Sequence, residues 1–93
     1  MKKLTVFYLE GCPYCRNGAA AVEELRTETP CFNAVQIDWI EERRSADIAE
    51  KYDYYNVPSI FCGGDKLYEC KPGDGYDVIK RQFKAAMNFA AGE

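Results

Sequence analysis

Leu4-Thr5-Val6-Phe7-Tyr8-Leu9-Glu10-Gly11-Cys12-Pro13-Tyr14-Cys15 is the stretch whose reading decides the fold. Residues 4–9 are β-branched, aromatic or apolar almost throughout, which predicts a strand buried on both faces and therefore central in its sheet. Glu10-Gly11-Cys12-Pro13 breaks that strand. Pro13 suits the first turn of a helix, where its missing N–H is not needed, and Tyr14 to Arg26 reads as that helix with Ala19, Val22 and Leu25 on one side. Cys12 then stands at a helix N-terminus, where unpaired N–H groups and the positive end of the helix dipole favour a thiolate. Cys15 follows about one turn later, shielded and near enough to close a disulfide.

Working outward, Thr29-Pro30 ends the helix and Phe32 to Asp38 has strand character, giving a βαβ crossover. Glu41 to Tyr55 is polar with Ile48 and Tyr52 as an i, i+4 apolar pair, a short amphipathic helix with Ser45 near its cap. Val57 to Cys62 and Leu67 to Cys70 read as two strands joined by a turn at Gly63-Gly64-Asp65-Lys66. That register sets Cys62 opposite Leu67 and Ser59 opposite Cys70, with the two sulfurs on opposite faces, so no Cys62–Cys70 disulfide is expected. After a loop at Lys71 to Gly75, Tyr76 to Ala90 presents Ile79, Phe83, Ala86, Met87 and Ala90 at helical spacing. The expected order is βαβαββα, an α/β domain over 1–93 with a four-stranded mixed sheet and helices on both faces.

The sequence is 47% hydrophobic and 29% charged, which excludes a disordered chain. Its net charge of -3 disfavours nucleic acid and anionic lipid as partners. Leu4 to Leu9 is too short for a secretory signal core, and no apolar run approaches the roughly 20 residues that cross a bilayer, so a cytoplasmic protein is expected. Five cysteines leave one over in any paired framework, and two of them only two residues apart point to redox or metal chemistry in a reducing compartment. With no histidine, Cys–His protease chemistry has no general base. The same absence, and the want of a second close cysteine pair, weigh against a zinc site, so no metal is expected. Thiol–disulfide exchange remains: Cys12 attacks a disulfide, and Cys15 or an external thiol resolves the mixed disulfide. A structural disulfide is the bland alternative.

Cys12-Pro13-Tyr14-Cys15 resembles the active-site sequence of the glutaredoxin family within the thioredoxin-fold superfamily, and the likeness runs along essentially the whole chain. The resemblance implies a thioredoxin fold, with Val57-Pro58 as its cis-proline loop facing Cys12 and the Val57 backbone pairing with an extended substrate. It implies that Tyr76 and Asp77, at the start of the last helix, take the γ-glutamyl end of glutathione, with Pro13, Tyr14 and Arg16 beside the sulfur. Arg43, Arg44 and Lys51 are further candidate carboxylate contacts, each read also as solvated surface. No tightly bound cofactor is implied; glutathione is the expected co-substrate, and disulfide-containing proteins or glutathione mixed disulfides the expected partners. Departures are visible too. Leu9 stands where many glutaredoxins have a lysine, Glu10 brings an acid close to Cys12, and Ile48-Ala49-Glu50-Lys51-Tyr52 with Val57-Pro58 looks like thioredoxins. A thioredoxin-like redoxin recharged by a flavoprotein reductase, or a non-catalytic binding module, are the alternatives.

Overall fold

Val6 pairs with Trp39 on one side and Ile60 on the other, so the strand expected to be central is central. The computed structural model describes residues 1–92, in the order β1 (Leu4–Tyr8), α1 (Pro13–Glu28), a 3-10 turn (Pro30–Ala34), β2 (Ile37–Glu41), α2 (Ala46–Ala49), β3 (Ser59–Cys62), β4 (Asp65–Glu69) and α3 (Tyr76–Ala91). The sheet order is β2-β1-β3-β4, with β1 parallel to β2 and antiparallel to β3, and β3 antiparallel to β4. It is mixed, as the alternation of helices and a late hairpin implied.

The two faces divide by strand alternation. Leu4, Val6, Ile60 and Cys62 join one buried cluster with Val22 and Leu25 of α1 and with Ile79, Phe83 and Met87 of α3. Burying each of the larger side chains contributes about 1.5–3 kcal/mol. All five expected core positions of α3 are buried. In α1 the buried face is Cys15, Gly18, Ala21, Val22 and Leu25, whereas Ala19 is exposed, contrary to expectation. The face rotates because Gly18 lets Phe83 approach, such that a Cβ there would lie 2.9 Å from its ring. Phe7 and Phe61 point to the opposite face, where Tyr52 and Tyr54 pack on Phe7 with centroids 4.7 and 4.9 Å away.

Three expected elements are redrawn. Of the strand expected over Phe32 to Asp38 only Ile37 and Asp38 are strand: Pro30 starts a 3-10 turn that drives Phe32 into the core, and the Arg26 guanidinium donates to the carbonyls of Phe32 and Val35 at 2.5 and 3.0 Å. The strand runs instead through Ile37–Glu41. The helix expected over 41–55 shrinks to Ala46–Ala49, and Ile48 is exposed, because Tyr52 and Tyr54 both serve the Phe7–Phe61 face, which residues two apart reach only from a non-helical chain. The hairpin turn is Gly63-Gly64 alone, Gly63 having φ +62°, with Cys62 opposite Asp65 and a bulge between Ile60 and Phe61. The expected Cys62–Leu67 and Ser59–Cys70 pairs are therefore wrong. Cys70 donates its N–H to Pro58 at 3.0 Å, four residues along from Cys62, which separates the two cysteines by roughly 13 Å at about 3.3 Å per residue. That is beyond disulfide reach, and both are free thiols.

Candidate active site

The strand-to-helix junction puts Cys12 at the N-cap of α1 in extended conformation, with Pro13 as first helical residue and the Arg16 N–H closing the first turn on the Cys12 carbonyl at 3.0 Å. Gly11, at φ +85°, reverses the chain just before it, and the Cys12 N–H bonds the Leu9 carbonyl at 3.2 Å. Cys12 is partly exposed and Cys15 is buried, both as free thiols. Burial is the main force pushing the Cys15 thiol up to about 12, with hydrogen bonding to Cys12 adding to it. The pair is thus asymmetric: one sulfur meets solvent, and the other stays protonated at neutral pH.

The second wall is the Val57–Pro58 segment, whose peptide bond is cis. Among the described residues the Val57 N–H and C=O make no internal hydrogen bond, so both remain available to an extended chain. Pro58 is buried and touches α1 at Gly18, where its Cγ would lie 3.6 Å from an added Cβ. A cavity of about 220 Å³ lies between the walls, lined by Leu9, Tyr14, Tyr55, Val57, Cys70 and Pro72 among others. Tyr14 also fixes the third side, because its hydroxyl accepts the Gly73 N–H at 2.9 Å. That loop is closed by Asp74, which accepts the Tyr68 hydroxyl at 2.6 Å and the Lys71 N–H at 3.0 Å. These bonds lower the Asp74 carboxyl below its ordinary range, and burial, helped by the bond to Asp74, raises the Tyr68 phenol.

Tyr14 and Val57 both line this cavity, with Pro58 next along the chain, while Tyr76 and Asp77 lie outside its lining. The Tyr76 hydroxyl donates to Glu24 of α1 at 3.0 Å, in a network with Lys80 and Glu28 that ties α3 to α1. Asp77 lies exposed in the first turn of α3 and does not line the cavity. Pro13 and Arg16 are exposed beside the dithiol. Glu10 does not stand free near Cys12, since its carboxylate pairs with Arg44.

Sequence reasoning missed three participants. Cys70 is a third thiol, buried against Pro58 and within electrostatic range of both Cys12 and Cys15; burial raises it above the ordinary thiol range. Glu69 of β4 accepts the N–H groups of Tyr55 and Asn56 at 3.0 and 2.8 Å, holding the approach to Pro58. Glu41, at the end of β2, accepts the Glu10 N–H at 3.1 Å. No group of metal-ligating side chains suited to an ion is present among the described residues.

No family model matches the chain. A thioredoxin of Methanocaldococcus jannaschii is 32% identical over 63 residues, covering 68% of this chain and 72% of that protein. The chain belongs to the thioredoxin family. At the level of fold this family member is similar to the thioredoxin of Malassezia sympodialis, with a TM-score of 0.66, 18% identity, and coverage of 96% of this chain and 74% of that one. A mutant thioredoxin from Halobacterium salinarum matches with a TM-score of 0.60, 21% identity and the same coverages. Family membership and the free dithiol at the head of α1 support thiol–disulfide oxidoreductase chemistry.

Proposed function

We propose that this thioredoxin-family chain, acting over 1–93 as one domain, is a glutaredoxin-like oxidoreductase that reduces protein disulfides or glutathione mixed disulfides. The observation that carries the reading is the pairing of an N-cap cysteine with a buried, protonated partner one turn later, beside a Val57 backbone with no internal partner.

An extended substrate segment lies along Val57, its disulfide directed at Cys12. The Cys12 thiolate attacks one substrate sulfur, the S–S bond breaks, and the other sulfur departs as a thiolate that takes up a proton. Cys15 then loses its proton and attacks Cys12, releasing the second substrate thiol and leaving the Cys12–Cys15 disulfide. Two electrons have passed to the substrate, and two glutathione molecules return them by the same chemistry, becoming glutathione disulfide. No tightly bound cofactor or metal takes part, and the setting is cytoplasmic, where thiols stay reduced.

The 32% identity to a thioredoxin favours a second reading, in which a flavoprotein reductase recharges the dithiol. Turnover of a disulfide substrate with glutathione, glutathione reductase and NADPH, set against turnover with thioredoxin reductase and NADPH, separates the two. Activity with glutathione is expected; activity only with thioredoxin reductase selects the second reading, and activity with neither makes the chain a binding module.

A further inference from the structure

Exchange chemistry as derived above uses two sulfurs and a backbone, yet the structure encloses a carboxylate close by. The Glu41 side chain is only 4% accessible. Its Oε2 accepts the Glu10 N–H at 3.1 Å, and its Oε1 accepts the N–H groups of Arg43 at 2.7 Å and Arg44 at 3.1 Å. The Arg43 guanidinium adds a looser contact at 3.4 Å. Two more links join the same segments: the Glu42 N–H bonds the Tyr8 carbonyl at 3.0 Å, and Arg44 pairs with the Glu10 carboxylate. Both partners of that last pair are well exposed, so it contributes little. Glu41 is the enclosed link, spanning 31 residues to the backbone two positions before Cys12.

We propose that Glu41 is a positioning residue for thiol exchange, its carboxylate fixing the Leu9–Cys12 turn so that the Cys12 sulfur stays at the head of α1. The turn has little else to define it. Gly11 adopts a left-handed conformation with open space around it, and among the described residues the turn's own internal bond is Cys12 N–H to Leu9 carbonyl at 3.2 Å. Bonds from N–H groups to an enclosed carboxylate are charge-assisted and short in reach, so they fix orientation better than a solvated contact does. Losing that position would slow Cys12.

This inference rests on the exchange reading, but its test does not require turnover. The rate of Cys12 alkylation by iodoacetamide at pH 7, together with kcat and KM for glutathione disulfide, is measured for the intact chain and for Glu41→Gln, Glu41→Asp and Arg44→Ala, with thermal melts confirming folding. Glu41→Gln is expected to slow alkylation and lower kcat by about tenfold with KM held within about twofold, and Arg44→Ala to change the alkylation rate by less than about threefold. Glu41→Asp keeps the charge on a shorter arm and is expected to slow alkylation as well, which serves if the Gln variant does not fold. An unchanged or faster alkylation in the folded Gln or Asp variant overturns the proposal, as does an equal loss in Arg44→Ala. Absence of turnover in the unmodified chain would instead overturn the exchange reading and leave the alkylation result standing.

Discussion

The two loops that form the site are held in the same way but to different depths. The turn before Cys12 is held by Glu41 of β2, and the segment before Pro58 by Glu69 of β4, each carboxylate accepting backbone N–H groups from a loop distant in sequence. The Glu41 side chain is 4% accessible, whereas that of Glu69 is 18% accessible and shares its charge with Lys66 at 2.8 Å. The loop bearing Cys12 is thus fixed from inside the protein, and the loop before Pro58 from a wetter edge. Water and a competing lysine weaken the second contact, which leaves the receiving wall the easier of the two to displace. Gly18 joins them, touching both Phe83 and Pro58 from the helix that carries the dithiol.

The comparison can be broken at several points. Cys12→Ser is expected to abolish turnover of every disulfide substrate, by about a thousandfold or more, because Cys12 is the partly exposed thiol at the N-cap of α1, with Cys15 one turn behind it. Turnover surviving in that variant would move the chemistry away from the turn that Glu41 holds. Gly18→Val is next: a Cβ already falls within 2.9 Å of Phe83, and a branched side chain must push α1 off both Phe83 and Pro58. A loss of about 2–3 kcal/mol in chemical denaturation is expected, and full stability would show that the walls are not joined there.

Acid separates the two carboxylates. The backbone N–H of Glu10 is the main influence lowering Glu41, from an ordinary 4.5 to about 2, with Arg43 and Arg44 helping. Lys66 is the main influence lowering Glu69. A carboxyl whose folded pKa is depressed stabilises the fold above its unfolded value, and that stability is lost as pH falls toward the folded value. Unfolding measured from pH 7 down to 2 should therefore show stability declining below about 4.5, with Glu41→Gln flattening the decline. An identical acid limb in the variant would contradict the assigned bonds. Glu69→Gln is the smallest change, costing about 1 kcal/mol and raising KM for a protein disulfide more than kcat falls. A larger effect on kcat would place Glu69 on the nucleophile's side.

How much of this was legible in the sequence depends on whether neighbours along the chain or across the fold decide the outcome. Strand β1, the Pro13 helix start and the buried face of α3 follow from local pattern, and each is where the sequence puts it. Residues 41–55 were misread because a helical pair, Ile48 and Tyr52, competed with an aromatic face that Phe7 and Phe61 create from other strands. The hairpin was misjudged by two residues: Gly63-Gly64 suffices as a turn, and a bulge absorbs the difference. Cys12, Cys15 and Val57-Pro58 were readable as motifs. Glu41, Glu69 and Cys70 were not, because an acid or a cysteine acquires meaning only from the loop packed against it.

The measurement that bears most directly on the central claim is peptide mapping after oxidation with one equivalent of glutathione disulfide. The account predicts a single intramolecular disulfide, Cys12–Cys15, with Cys31, Cys62 and Cys70 recovered as thiols. Recovery of Cys12 and Cys15 as thiols, or a disulfide that joins Cys62 to Cys70, would contradict it.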